Sequence, residues 1–214
     1  MCYNQSSTAC FSILYAISMF IYYKYKFRHY KLLILFHGFF MVMEIYQFIM
    51  WTYGDLSVDH GTCNNEFLTY GAYILIWLQP LLFSYIGSVA FPMNPIFKEL
   101  NKIYIIIFIL SLIIIYYGTE GITCSYIGPN GYLEWSFKSR IRELQPNYLL
   151  YYMMCIIAFS FYELSLYNIP ISWLISFLVT ITFSTVSIGE LPSRWCYLSV
   201  ISIPINLFFS YVTN

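Results

Sequence analysis

Apolar residues run through this chain in long stretches, without the every-second-residue alternation of a half-buried strand. Seven such stretches lie at about 8–23, 32–52, 67–90, 103–118, 147–165, 169–187 and 195–213. Each approaches the roughly 20 residues that a helix needs to cross about 30 Å of hydrocarbon at about 1.5 Å per residue. Helix is forced in such segments, because with no water at hand each backbone N–H and C=O must be satisfied within the segment. Strands of a membrane barrel would alternate in polarity, and these do not. The pattern predicts an all-α membrane protein: a seven-transmembrane-helix bundle, one transmembrane domain over 1–214, with a short hairpin-like outer loop.

The polar stretches between these segments set the expected topology. KYKFRHYK at 24–31 closes the first segment, and a short acidic loop with Asp55, Asp59 and Glu66 follows the second. FPMNPIFKELNK reads as a loop leading to IYIIIFILSLIIIYYG, which is apolar on every face and expected to meet lipid. The longest connection, 118–146, has room for structure outside the bilayer. Within it Pro129-Asn130 is flanked by Gly128 and Gly131, which is turn chemistry between β-formers and predicts a hairpin lid that includes Trp135. Lys24, Lys26, Arg28 and Lys31 crowd the first loop, so the positive-inside tendency predicts the N-terminus outside and the C-terminus cytoplasmic.

Composition sharpens this picture. Sixty per cent of the residues are hydrophobic and 9% charged, against about 25% charged in a typical soluble domain. Lipid is therefore the expected solvent and the expected partner, in a host or virion membrane. Ten basic and ten acidic residues cancel, which argues against nucleic acid as a partner. The 23 tyrosines and 19 phenylalanines fit AT-rich coding, and those at segment ends would anchor at the interface. MCYNQSSTAC lacks a basic n-region, so the first segment is expected to be a retained anchor. No internal repeat is evident, which weighs against transporters built by duplication.

Against this apolar background, polar residues inside the segments attract attention. Glu44 is the one acidic residue well inside a span, Glu163 lying near the end of the fifth. A carboxyl at mid-bilayer must be protonated, paired or facing water. His37 lies two turns before it and Gln47 one turn after, giving the second segment a polar stripe. Gln79 lies at similar depth in the third segment, beside Pro80, which frees the Ile76 carbonyl, and Asn206 stands in the seventh. These five residues form either an interhelical clasp or a ligand or proton site. Cys63 and Cys124 fall on the same face of a seven-span chain, so they are candidates for a disulfide tying the long loop to the bundle.

Enzymatic constellations are missing. His29, His37 and His60 are scattered, no H-x-x-x-H or H-E-x-x-H offers metal ligands, and no G-x-S-x-G nucleophile appears. No metal, cofactor or catalytic residue is expected. The outline resembles G-protein-coupled receptors in span number and cysteine placement. It departs from them where the third segment ends SYIGSVAFPMNP and the seventh reads SIPINLFFSY. Four pieces, MEIYQFIMW, LIWLQPLLF, CSYIGPNGYLEW and RWCYLS, resemble uncharacterised multi-pass membrane proteins of large DNA viruses. That resemblance marks Glu44, Gln47, Gln79, Pro80, Trp135, Trp195 and Cys196 as motif positions and brings no assigned activity. The reading is thus a non-enzymatic, receptor-like viral protein that binds a small molecule, lipid or protein partner in the bundle. The alternatives are a small transporter or proton-coupled channel using Glu44, and an intramembrane lipid-modifying enzyme.

Overall fold

The structure, a computed structural model, describes residues 4–54, 56, 65–118, 124–128, 131–136, 148–182 and 198–213. Helix α1 (Gln5–Tyr25) starts at Asn4, whose side-chain oxygen accepts the Ser7 amide at 2.8 Å, satisfying one of the N–H groups that a helix start leaves open. It ends at Lys26, which turns left-handed (φ 53°), as does His29 (φ 59°) three residues on. Between them Phe27 plugs inward, 8% exposed, against the rings of Tyr22 and Tyr25. Lys26 Nζ sits 3.9 Å from the centroid of the Tyr23 ring and 4.6 Å from that of Tyr30. These cation–π contacts help offset the strain of a non-glycine residue in that region.

The tight turn sends α2 (Tyr30–Tyr53) back along α1, with Gln5 Nε2 donating to Thr52 Oγ1 at 2.9 Å near the far end. Helix α3 (Glu66–Ala90) carries Pro80 within it and packs against α2 and α4. Among the described residues no side chain donates to the Ile76 carbonyl that Pro80 was expected to free. Helix α4 (Ile96–Gly118) begins seven residues before the expected 103. Asn94 Oδ1 caps the Ile96 amide at 3.2 Å, and Pro95, preset for a first turn, precedes it. What read as loop is an amphipathic first turn, with Phe97 fully buried while Glu99 and Lys102 pair at 2.8 Å on the outside. Further along, Ile106, Ile109, Leu110 and Ile113 are apolar and exposed.

A two-stranded antiparallel hairpin follows, β1 (Cys124–Ile127) and β2 (Leu133–Ser136), with Ser125 opposite Trp135. Gly131 takes φ 79° in its turn, a conformation that costs glycine little. The expected hairpin is present, and Leu133 beneath it is fully buried. Pro129 and Asn130 lie outside the described residues, as does the Trp135 side chain.

Helix α5 (Tyr148–Ser160) stops five residues short of the expected 165. Tyr162 turns inward there, its hydroxyl donating to the Phe83 carbonyl at 2.7 Å and its ring meeting Phe91, Phe97 and Phe159. Glu163 falls outside the helix in extended backbone and is exposed, not at a span end as expected. A single 3-10 turn, Leu164–Leu166, leads into α6 (Asn168–Thr182), and another, Ser199–Ile201, into α7 (Ser202–Val212).

Helices α1 to α4 are long and apolar enough to cross a membrane, while α5, α6 and α7 are shorter apolar helices. Hydrogen bonds give the directions. Tyr15 reaches Ser199 at 2.9 Å and Tyr22 lies beside Ser210, so α1 and α7 run the same way. Gln79 and Phe83 meet Tyr151 and Tyr162 in that order, so α3 and α5 also run together.

Gly87 lets α3 and α4 close, since a Cβ there would overlap the ring of Phe97. Gly87→Val is expected to destabilise the protein by about 1–3 kcal/mol, as overpacking does, and Phe97→Ala in the same chain to recover part of the loss. Thermal unfolding in detergent reads this, and an unchanged midpoint would mean that the α3–α4 contact contributes no stability.

Candidate functional site

Spacing on α2 gathers the polar side chains. His37, Glu44, Gln47 and Trp51 follow one another at seven, three and four residues, which at about 100° per residue keeps them on one face. His37, Glu44 and Gln47 are each no more than 1% exposed. The stripe divides into a half that is hydrogen-bonded and a half that is not.

The bonded half centres on His37. Its Nδ1 lies 2.7 Å from Ser18 Oγ on α1, and its Nε2 lies 3.3 Å from Asn206 Nδ2 on α7. Ser18 Oγ also lies 2.7 Å from the Tyr15 carbonyl, and Asn206 Nδ2 donates to Ser172 Oγ on α6 at 3.1 Å. One set of directions satisfies the chain. Nδ1–H donates to Ser18, the Ser18 hydroxyl donates to Tyr15, and Nε2 accepts from Asn206, which makes His37 the neutral Nδ1–H tautomer. Tyr15 and Tyr22 meet the imidazole edge-on at 5.7 and 5.1 Å between centroids. Around this core Asn206 Oδ1, Ser202 Oγ and Ser210 Oγ are buried without partners.

The unbonded half is Glu44, Gln47 and Trp51. Glu44 Oε2, both amide atoms of Gln47 and the indole Nε1 of Trp51 are buried with no hydrogen-bond partner. Glu44 lies 14 residues into α2, about 20 Å from the α1–α2 turn and close to mid-helix. A buried polar atom left unpaired costs about 1–3 kcal/mol, so three on Glu44 and Gln47 alone represent a large unmet demand.

Gln79 belongs to neither half. Tyr151 donates to its Oε1 at 2.5 Å and its Nε2 donates to Met43 Sδ at 2.8 Å, so it bridges α2, α3 and α5 as a structural tie. Glu44 Oε2 makes no hydrogen bond to Gln79, whose Oε1 and Nε2 are engaged by Tyr151 and Met43. Asn206 joins His37 instead.

At the outer end expected from the charge pattern, Asn65 clamps the hairpin. Its Nδ2 donates to the Ser125 carbonyl at 2.7 Å, and its Oδ1 accepts the Ser125 amide at 3.0 Å. The side-chain amide thus copies a strand partner. Thr69 Oγ1 adds a 2.8 Å contact to Ser125 Oγ. Next to this clamp Cys124 is disulfide-bonded, while Cys10 and Cys155 are free thiols. Cys63, the expected partner of Cys124, lies outside the described residues. No group of His, Cys, Asp and Glu among the described residues is arranged to hold a metal ion.

Sequence reasoning missed Trp51, Ser18, Ser172, Tyr151 and Asn65. Trp51 was reachable, since it extends the stripe by four residues from Gln47.

Comparison with known proteins adds one relative. An uncharacterized protein of Acanthamoeba polyphaga mimivirus is 32% identical over 223 aligned residues, covering 94% of this chain and 92% of its own length. The chain belongs to that protein's family. The resemblance to uncharacterised proteins of large viruses is thereby shown, whereas no family model and no solved structure matches.

Two substitutions test the bonded elements. Asn65→Ala is expected to speed amide exchange of Ser125 and Tyr126 at least about fivefold, the equivalent of losing a buried hydrogen bond. Asn206→Leu is expected to lower stability by about 1–3 kcal/mol by stranding His37 Nε2, read by chemical denaturation in detergent. Unchanged exchange in the first variant would mean that the hairpin is held by other contacts. Unchanged stability in the second would mean that the His37–Asn206 contact contributes nothing.

Proposed function

We propose that this protein is a seven-span, non-enzymatic membrane protein that binds a small polar molecule inside its helix bundle, against Glu44, Gln47 and Trp51. The observation that carries it is the set of four unpartnered atoms on one face of α2: Glu44 Oε2, Gln47 Nε2, Gln47 Oε1 and Trp51 Nε1. Folding alone gains nothing from such a set, and intramembrane ionisable groups are functional candidates by default. An occupant bearing both donors and acceptors on one edge, such as an amide or a hydroxyl compound, complements it. Seven spans fit the shared direction of α1 with α7 and of α3 with α5, as alternating crossings demand, and the basic first loop favours the N-terminus outside. In this reading the hairpin closes the outer end, clamped by Asn65 and tied by a Cys63–Cys124 disulfide.

A second reading, a proton-coupled transporter, is favoured by the polar column beside His37. Tyr15–Ser199, Ser18–His37–Asn206 and Tyr22–Ser210 stack at successive levels along α1 and α7. It predicts pH-dependent flux in proteoliposomes that Glu44→Gln abolishes.

The deciding experiment removes the demand. The double variant Glu44→Leu, Gln47→Leu in lipid nanodiscs is expected to unfold at a higher temperature than ligand-free wild type, because unpaired polar atoms are replaced by apolar ones. It should also lose every thermal shift that small amides, amines or hydroxy compounds produce in wild type. A lower unfolding temperature would instead make Glu44 and Gln47 a structural clasp and sink the proposal.

A further inference from the structure

A second feature lies on the outside of the bundle. A cleft of about 470 Å³ opens between α2, α3 and α4, walled by Phe39, Leu78, Leu81, Leu82 and Ile105. Two residues with polar groups, Tyr85 and Asn101, interrupt these apolar walls. Asn101 lines the cleft, and its Oδ1 is buried with no partner. Seen along α4, Lys98, Asn101 and Ile105 share a helix face, and Lys98 stands one turn nearer the end of the bundle that carries the α1–α2 turn. Across the cleft on α2, Lys31 begins the row Lys31, Leu35, Phe39 at that same end. Both lysines are exposed, and neither makes a hydrogen bond or ion pair among the described residues. Lys102 is occupied by Glu99 at 2.8 Å.

The charge around this end is lopsided. Lys24, Lys26, Arg28, Lys31, Lys98 and Lys102 stand against Glu99 and Glu163. His29 adds nothing to either side, since burial and the neighbouring Arg28 cation hold its pKa below the ordinary histidine value. An apolar slot lined by a stranded polar atom, with the Lys31 ammonium and the Lys98 ammonium beside Glu99 toward one end, matches one kind of molecule.

We propose that this cleft is a binding site for an anionic phospholipid of the surrounding membrane. One acyl chain lies against Leu78, Leu82 and Ile105, and the phosphate meets Lys98 and Lys31. Asn101 Oδ1 accepts from a hydroxyl of the headgroup. The proposal rests on the membrane reading but not on the interior site, since Glu44 and Gln47 do not line this cleft. The two therefore fail separately.

Native mass spectrometry of the full chain, with phosphatidylglycerol and phosphatidylcholine of identical chains as probes, tests it. Wild type is expected to retain one phosphatidylglycerol with a preference of about 25-fold, about fivefold for each lysine. Lys31→Gln with Lys98→Gln should cut that preference at least about tenfold. Leu82→Trp, which fills the slot, should lose both lipids, and Asn101→Leu is a second variant at the cleft should Leu82→Trp fail to fold. It keeps the slot and should weaken phosphatidylglycerol alone. Equal retention of both lipids by wild type would overturn the proposal. So would a preference that removal of the lysines leaves undiminished, or phosphatidylglycerol binding unaffected by Leu82→Trp or by Asn101→Leu.

Discussion

Apolar contact alone does not tell helices as uniformly apolar as these which neighbour to take, because one apolar face packs much like another. Shape and polar bonds must choose the neighbours. In this bundle the imidazole of His37 does most of that choosing. It reaches α1 through Ser18 and α7 through Asn206, and the same asparagine reaches α6 through Ser172. Two helices from each end of the chain are thus joined through one ring and one amide. Moving His37 by one position along α2 would turn it about 100° away from both of its partners. The α1–α2 turn guards against that, since Phe27 is wedged between two left-handed residues and fixes the register of the pair.

The buried polar groups then fall into two kinds. Gln79, Asn65 and His37 have partners in their side-chain bonds, and each joins separate elements. Glu44, Gln47 and Trp51 lie on the same face as His37 with open valences. If burial alone explained polar residues on α2, both halves of the stripe would be satisfied alike. The contrast within one helix is what gives the unbonded half its meaning, because the same backbone supplies a control.

The helices were legible in the sequence because long apolar runs without every-second-residue alternation fit helix and not strand. The stripe on α2 was legible because helical spacing is arithmetic. Ends and partners were harder to read. The start of α4 was hidden by Glu99 and Lys102, whose charges look like loop until Phe97 is seen packed against Gly87. The end of α5 depends on Tyr162 finding the Phe83 carbonyl, a contact across 79 residues. Tyr151 was invisible as the partner of Gln79 for a simpler reason. With 23 tyrosines in the chain, no single one stands out by its identity. The clamp on the hairpin escaped notice because it uses the side chain of Asn65 as if it were backbone, and no spacing rule describes that.

Gly87 and Phe97 have a consequence for descent. The ring occupies the space in which a side chain at 87 would sit, so neither residue can vary freely while the other is kept. A lineage that places a β-carbon at 87 must first, or at once, shrink residue 97. The reverse order, a smaller residue at 97 with glycine retained, leaves a void that selection can tolerate for a time. Across this viral family the two positions are therefore expected to be inherited as one character, with the path between their states running through the void and not through the clash.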